Sequence, residues 1–226
     1  MADASPALQT LETDLRGIFG AHLQSLVHYG GHVHKAIDDH AHGHHAPVLV
    51  HALVVVEALT ATDLTECAKR ITSWHDAGLA TPLILPAAEL ARSLDTFPFE
   101  FSAILADHVV VAGRDPFEGL HIEPADLRWA CEVQARSHLL HLRQGYVEAR
   151  GRGDALAVLI VRSAPAWQSL LGNVARLENT PAPVDDVVKL TGVKEIANEV
   201  AVRMFPSYLD AVERLTKDVD GWSGTK

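Results

Sequence analysis

The chain has 226 residues, of which 48% are hydrophobic and 21% are charged. This composition is typical of a globular protein and excludes an intrinsically disordered chain and a collagen-like repeat. The formal net charge of −10 disfavours a nucleic-acid-binding protein, because phosphate contacts need a basic surface. The acidity lies in the first half, where residues 1–120 carry 6 basic and 15 acidic side chains.

The cellular location follows from what the sequence lacks. No stretch reaches the roughly 18 uninterrupted apolar residues of a membrane-spanning helix, and the N-terminus lacks the basic and apolar regions of a secretory signal. The two cysteines, Cys67 and Cys131, make no disulfide framework and are interpreted as buried structural thiols. We therefore expect a cytoplasmic protein that does not associate with membranes.

The first half of the chain alternates between helix and strand patterns. Apolar spacing predicts a helix over residues 7–22, and a capping-box pattern at Asp63 and Glu66 predicts another that begins at Asp63 and runs to about residue 77. Pro86 is expected to open a further helix, and a short one is expected to end at residues 104–106. The predicted strands cover residues 24–29, 48–56, 82–85 and 109–112. This alternation indicates an α/β layer structure.

The second half reads as helical. Long apolar periodicities predict helices over residues 126–149 and 155–177, the second kinked at Pro165. Two further helices are predicted, over 193–204 and 208–219, and four helices joined by short loops suggest a bundle. The tryptophans of this half are expected to pack between the helices; they are Trp129, Trp167 and Trp222. The domain prediction is an α/β domain over residues 1–120 and a helical bundle over 121–226.

One sequence pattern resembles a known family. Residues 26–31 read Leu-Val-His-Tyr-Gly-Gly, followed by a loop and a Val-rich strand. This pattern resembles the nucleotidyltransferase superfamily, with its polymerase-β-like fold, in particular its small bacterial and kanamycin-nucleotidyltransferase-like members. The resemblance implies an α/β (α+β) fold in which a mixed sheet with flanking helices precedes a C-terminal helical bundle. It also implies nucleotide binding at Gly30 and Gly31, where backbone N–H groups hold the phosphates.

The same resemblance implies that catalytic carboxylates are missing. The family's paired metal-binding carboxylates fall near Leu49 and His51, and its third carboxylate falls near Pro82. Mg²⁺ needs oxygen ligands, which leucine and proline side chains do not supply, so Mg²⁺ is disfavoured. The primary expectation is a pseudoenzyme that retains binding of a nucleotide, a metal or a protein partner. The alternative is an active metal-dependent nucleotidyltransferase with a non-standard site, for which Asp38 and Asp39 are the candidates.

Histidine is strongly enriched in one segment. Seven of the 14 histidines lie in residues 28–45, and imidazole is a favoured ligand of Zn²⁺, Ni²⁺ and other transition metals. Two interpretations stay open: an evolved metal site, which would make this a histidine-rich metal-binding protein, and a polar loop that binds metal adventitiously. The candidate ligands are His32, His34, Asp38, His40, His42, His44, His45 and His51.

A row of arginines lies on the first helix of the predicted bundle. Arg136, Arg143 and Arg150 recur every seven residues, with Arg128 eight residues earlier. This spacing keeps the four side chains near one helix face. The row is interpreted as a solvated surface, with contact to a nucleotide as the alternative. The sequence leaves the oligomeric state open.

Overall fold

A computed structural model describes residues 5–30 and 49–224 of the chain. The chain divides into two compact units, Met1–Ile122 and Glu123–Lys226. The first contains a sheet with helices on both faces, and the second is helical.

The sheet of the first unit has four strands in the order β3-β2-β1-β4. Strand β1 (Leu23–Tyr29) pairs antiparallel with β2 (His51–Val56) and with β4 (His108–Gly113), whereas β3 (Leu83–Pro86) pairs parallel with β2. The sheet is therefore mixed, which confirms the predicted fold class and all four predicted strand positions. Residues 52–56 of β2 are all buried, as expected for an apolar strand covered on both faces.

Two helical layers cover the sheet because strand side chains alternate between its faces. One face packs Leu26 and Val54 against α1 (Pro6–Phe19), α2 (Ala61–Ala68) and α3 (Ile71–Asp76). The other face packs Val27 and Leu53 against α4 (Ala87–Thr96) and α5 (Pro98–Ala106). The two apolar clusters together form the core of this unit.

Three helix boundaries in this unit differ from the prediction. The N-cap is Thr60 rather than Asp63: the Thr60 hydroxyl accepts the Asp63 N–H while the Asp63 carboxylate accepts the Thr60 N–H. The predicted single helix is broken between Ala68 and Ile71 into α2 and α3. Pro86 ends β3 and precedes α4 instead of opening it, because its φ of −61° and ψ of 142° are extended.

The second unit contains three long helices that pack pairwise, α6 (Pro124–Ala149), α7 (Gly153–Glu178) and α8 (Asn198–Asp220). The prediction of four helices is wrong within the described residues, since α8 continues through Pro206. A proline has no N–H group and therefore removes one backbone hydrogen bond of the helix. Pro206 lies on the exposed side of α8, so a hydrogen bond to water can take the place of the missing one. Pro165 likewise lies on the exposed side of α7.

Helix α7 is long and apolar enough to cross a membrane by length and composition, and it is the one such helix in the part of the chain that the structure describes. Its apolar residues include Leu156, Ile160 and Trp167, which are buried inside the second unit. The helix packs against both α6 and α8. This arrangement is that of the core helix of a helical bundle.

Candidate functional site

The turn that follows β1 carries the Gly-Gly motif at which the family resemblance predicts nucleotide binding. Gly30 has a φ of +75°, a conformation that L-amino acids with a side chain rarely adopt. Its N–H donates to the backbone oxygen of Asp107 at 3.3 Å. Gly30 therefore supplies the turn itself, while its amide is already engaged and is not free for a phosphate. The second glycine of the motif, Gly31, lies outside the described residues.

Three aromatic side chains stand beside this turn on neighbouring strands. Tyr29 is in register with His51 of β2 on one side and with His108 of β4 on the other. The rings of Tyr29 and His51 are 5.7 Å apart with an angle of 36° between them. Burial raises the pKa of Tyr29, so its hydroxyl keeps its proton at neutral pH.

His108 is held in place by contacts on several sides. Its Nε2 lies 3.4 Å from the Asp115 carboxylate, and its Nδ1 lies 3.2 Å from the backbone oxygen of Leu105. Its ring packs edge-on against Phe117, with 5.0 Å between the ring centres. Asp115 also accepts the Phe117 N–H at 2.9 Å. These contacts tie the segment after β4 to the sheet, which indicates a structural role for this pair.

The strands themselves offer no carboxylate to a metal ion. The sequences of β1 to β4 contain neither Asp nor Glu. Leu49 is exposed just before β2, His51 is half-buried at its first position, and Pro82 is buried just before β3. The described residues also contain no group of three or more His, Cys, Asp or Glu side chains that could hold a metal ion. The residues present at these positions do not fit Mg²⁺.

Most of the predicted metal ligands are not among the described residues. Of that set, the structure places His51, at the first position of β2 beside Tyr29, the last residue of β1. The chain therefore leaves β1 and enters β2 at the same end of the sheet. The other candidates lie outside the described residues; they are His32, His34, Asp38, His40, His42, His44 and His45, and Asp39 lies outside as well.

A cleft of about 740 Å³ opens at the opposite end of β1. Its apolar side includes Leu23, Val55 and Leu90, and its polar side includes Arg114 and Glu118. The volume is within the usual range for small-molecule sites. The sequence gives no sign of this cleft, because its lining comes from β1, β2, β4, α4 and the segment after β4, and no local motif marks such a combination.

Comparison with known proteins finds similarity in fold but not in sequence. No protein-family model matches the chain, and no curated protein matches it in sequence. The fold is similar to the crystal structure of spectinomycin adenyltransferase AAD(9) from Enterococcus faecialis with ATP and spectinomycin. The similarity covers 96% of this chain and 100% of that chain, with 11% identity and a TM-score of 0.46. That protein is a nucleotidyltransferase.

The arginine row of the second unit is used in helix packing. Arg136 pairs with Asp220 at 2.9 Å, and Arg143 pairs with Glu213 at 2.8 Å. Arg128 donates to the backbone oxygen of Val219 at 3.1 Å. These contacts fasten α6 to α8, so the interpretation as a merely solvated surface is incomplete for these three side chains.

Proposed function

We propose that this protein is a nucleotidyltransferase-like pseudoenzyme that binds a nucleotide at the turn after β1 without transferring a nucleotidyl group. The observation that carries the proposal is the absence of Asp and Glu from all four strands of the described sheet. Leu49, His51 and Pro82 stand where the resemblance implies carboxylates. The mixed sheet and the glycine turn after its first strand support the proposal that nucleotide binding is retained although transfer is lost.

Loss of transfer follows from metal chemistry. Nucleotidyl transfer needs divalent cations that neutralise the phosphate charge and activate the attacking hydroxyl. His51 offers one imidazole, which suits transition metals better than Mg²⁺, and the side chains of Leu49 and Pro82 offer no ligand atom. Binding does not carry the same requirement, because backbone amides can hold a phosphate without a metal. The Gly30 amide is not among these donors, since it donates to the backbone oxygen of Asp107.

The first experiment tests transfer. The full chain is incubated with radiolabelled ATP, GTP, CTP or UTP and with Mg²⁺ or Mn²⁺, and labelling of the protein or of an added acceptor is measured. We expect none. Labelling that disappears in Asp38→Ala or Asp39→Ala would overturn the proposal and favour an active enzyme with a non-standard site.

A second experiment tests binding at the turn by equilibrium dialysis with radiolabelled ATP. We expect Gly30→Ala to weaken ATP binding, because a side chain at a φ of +75° strains the turn. Gly20→Ala is the matched control, since Gly20 has a φ of +55° and also faces open space but lies before β1. Equal ATP affinity in Gly30→Ala and Gly20→Ala would exclude the turn as the binding site.

A gain-of-function variant tests the assignment of the missing carboxylates. Leu49→Asp with His51→Asp places two carboxylates on one side of an extended segment. We expect ATP binding by this variant to become stronger when Mg²⁺ is added, whereas wild-type binding does not change. The control with Leu49→Asn and His51→Asn has similar shape without charge and is expected to behave as wild type.

Transition-metal binding by the histidine-rich segment is the second candidate function. It is supported by the density of imidazoles in residues 28–45 and by the pairing of Tyr29 with His51, which places His51 beside the end of β1, where this segment begins. Zn²⁺ and Ni²⁺ are the cofactors that this ligand set favours. Such a site would use His51 together with residues outside the described part of the chain.

Calorimetric titration with Zn²⁺ and Ni²⁺ tests this second function. The variant with His40, His42, His44 and His45 all changed to Ala is expected to lose most of the metal affinity. Wild-type affinity should fall as the pH drops through about 6.5, because a protonated imidazole is not a ligand. An evolved site should bind one or two ions and raise the melting temperature. Equal affinity in the two proteins would exclude the segment.

A further inference from the structure

The cleft beside the start of β1 lies at the opposite end of that strand from the glycine turn. All of its lining residues belong to the first unit. Its volume of about 740 Å³ is in the range of sites that hold small organic molecules. Nucleotide binding at the turn leaves this cleft unused, so it is a candidate for a second ligand.

The segment after β4 forms one wall of the cleft, and two contacts hold its backbone against β1. The hydroxyl of Ser25, which is buried, donates to the backbone oxygen of Arg114. Gly113 lies directly against Gln24, because a Cβ atom at this glycine would collide with the Gln24 backbone oxygen. The backbone that carries the Arg114 side chain is therefore fixed, and a site whose charged group is already in position loses less entropy when it binds a ligand.

Two side chains of opposite charge line the cleft without a partner. Arg114 and Glu118 are both exposed, and neither side chain forms an ion pair or a hydrogen bond, with the other or with any further residue in the described part of the chain. The remaining charged residue of the lining, Asp115, is engaged, since it lies 3.4 Å from Nε2 of His108 and accepts the Phe117 N–H. The cleft thus presents one uncommitted cation and one uncommitted anion.

Most of the remaining lining is aliphatic. Helix α4 contributes Ala87, Leu90 and Ala91, which lie on one side of the helix because they are three and four residues apart. Strands β1 and β2 contribute Leu23 and Val55. No aromatic side chain is among the described residues that line the cleft, so a flat ring finds no stacking partner there. This surface instead suits a ligand with an aliphatic body, whose burial is favourable.

We propose that this cleft binds a short aliphatic peptide with free ends, in its zwitterionic form. The terminal carboxylate pairs with the Arg114 guanidinium, whose planar fork matches a carboxylate, and the terminal ammonium pairs with Glu118. The aliphatic side chains pack against Leu90 and Val55. A purely anionic ligand is a poorer match, because the lining holds two carboxylates and one guanidinium.

Calorimetric titration of the full chain with leucyl-leucine tests this proposal. We expect one binding site with a Kd on the order of 0.1–1 mM, as is typical of the binding energy per atom of small ligands. Acetyl-leucyl-leucine has no ammonium group and leucyl-leucine amide has no carboxylate, so each should bind about fivefold more weakly. Glycyl-glycine keeps both charges but has no aliphatic side chains, and it should also bind more weakly than leucyl-leucine.

Two charge variants assign each end of the peptide to its partner. Arg114→Gln should weaken leucyl-leucine binding about fivefold and leave the affinity for the amide unchanged, because the amide has no carboxylate to pair. Glu118→Gln should weaken leucyl-leucine binding to a similar extent and leave the affinity for the acetylated peptide unchanged. Arg92→Gln and Glu89→Gln are the matched controls, since both residues are exposed on α4 outside the lining of the cleft, and both variants should bind as wild type.

A steric variant tests whether the peptide occupies the cleft itself. Ala91→Phe places a large side chain in the cleft and should abolish binding of leucyl-leucine. Ala88→Phe is the matched control, since Ala88 is also exposed on α4 but does not line the cleft. Thermal unfolding of both variants without ligand shows whether each is folded. Gly30→Ala should bind leucyl-leucine as wild type, so failure of nucleotide binding at the turn and failure of peptide binding here are distinguishable.

Three results contradict the proposal. The first is no heat of binding for leucyl-leucine at about ten times the expected Kd. The second is equal affinity for leucyl-leucine and its two capped analogues, which would remove Arg114 and Glu118 as partners of the peptide ends. The third is unchanged affinity in a folded Ala91→Phe variant, which would place the peptide outside the cleft.

Discussion

The hydroxyl oxygen of Tyr208 on α8 lies 2.6 Å from Nε2 of His138 on α6. The same hydroxyl lies 3.0 Å from the hydroxyl of Ser163 on α7, so the three long helices of the second unit meet at one polar cluster. The His138 ring also stacks on Trp167, with 5.8 Å between the ring centres. Burial, with a smaller contribution from the charge of His141, lowers the pKa of His138 to about 4.

The stability of the second unit should therefore fall in mild acid. Histidine titrates near 6.5 in an unfolded chain and at about 4 in this fold, so between these values the unfolded state binds more protons. Stability is full above about pH 6.5, decreases as the pH falls towards 4, and levels off below that. The expected loss from His138 is roughly 2–3 kcal/mol, measured by urea unfolding at pH 7 and pH 4.5.

A variant isolates the contribution of this histidine. His138→Phe loses the hydrogen bond to Tyr208 and should be less stable than wild type at pH 7, by about 1–2 kcal/mol. Its stability should nevertheless vary less between pH 7 and pH 4.5. His75→Gln, which removes an exposed histidine of α3, should keep the wild-type pH dependence. An equally steep pH dependence in His138→Phe would contradict the assignment.

Two adjacent aspartates should differ sharply in their effect on stability. Asp185 accepts hydrogen bonds from Nε1 of buried Trp167 at 2.7 Å and from the N–H groups of Val187 and Val188 at 2.9 and 2.8 Å. Asp185→Ala leaves these donors without an acceptor and should cost about 2–4 kcal/mol. Asp186 instead pairs with Lys189 in solvent, so Asp186→Ala should change stability by less than about 1 kcal/mol. Thermal unfolding of the two variants gives the comparison.

Two glycines with the same backbone conformation should respond differently to alanine. Gly113 and Gly119 have φ values of +83° and +78°. A Cβ atom on Gly113 would collide with the backbone oxygen of Gln24, whereas one on Gly119 would meet nothing within 4 Å. Gly119→Ala should cost about 1–2 kcal/mol from strain alone. Gly113→Ala should cost well over that amount or prevent folding, which expression and denaturant unfolding will show.

The observed start of α2 differs from the predicted one, and two substitutions test it. Thr60→Ala removes the hydroxyl that caps the helix and should cost about 1 kcal/mol. Glu66→Ala removes the carboxylate of the predicted capping box, and it should cost less than about 0.5 kcal/mol because Glu66 forms only a surface pair with Lys69. A larger loss for Glu66→Ala than for Thr60→Ala would contradict the observed cap.

Local periodicity was sufficient to predict the elements that the structure confirms. The Val-rich run of β2 predicts burial on both faces, and residues 52–56 are indeed all buried. Alternating strand and helix patterns gave the α/β class, and the mixed sheet confirms it. The absence of carboxylates from the strands is also a property of the sequence alone, since no fold can supply an oxygen ligand from the side chain of leucine or proline.

Solvent exposure explains two predictions that are wrong. Two separate helices were predicted over 193–204 and 208–219, but Pro206 lies on the exposed side of α8 and a single helix continues through it. Trp129 was expected to pack between helices, yet it is 64% exposed on the solvent side of α6. Hydrophobic spacing shows that a helix has an apolar side, but the direction in which that side points depends on packing against distant elements.

The sequence by itself determined the strands, helices α6 and α7 and the absence of carboxylates from the strands, because each depends on residue type and on spacing within a few residues. Only the tertiary structure placed Tyr29 between His51 and His108, buried His138 against Tyr208, and assembled the cleft at the other end of β1. These contacts join residues that are 22 to 79 positions apart. Their geometry depends on strand register and helix packing, which local spacing does not encode.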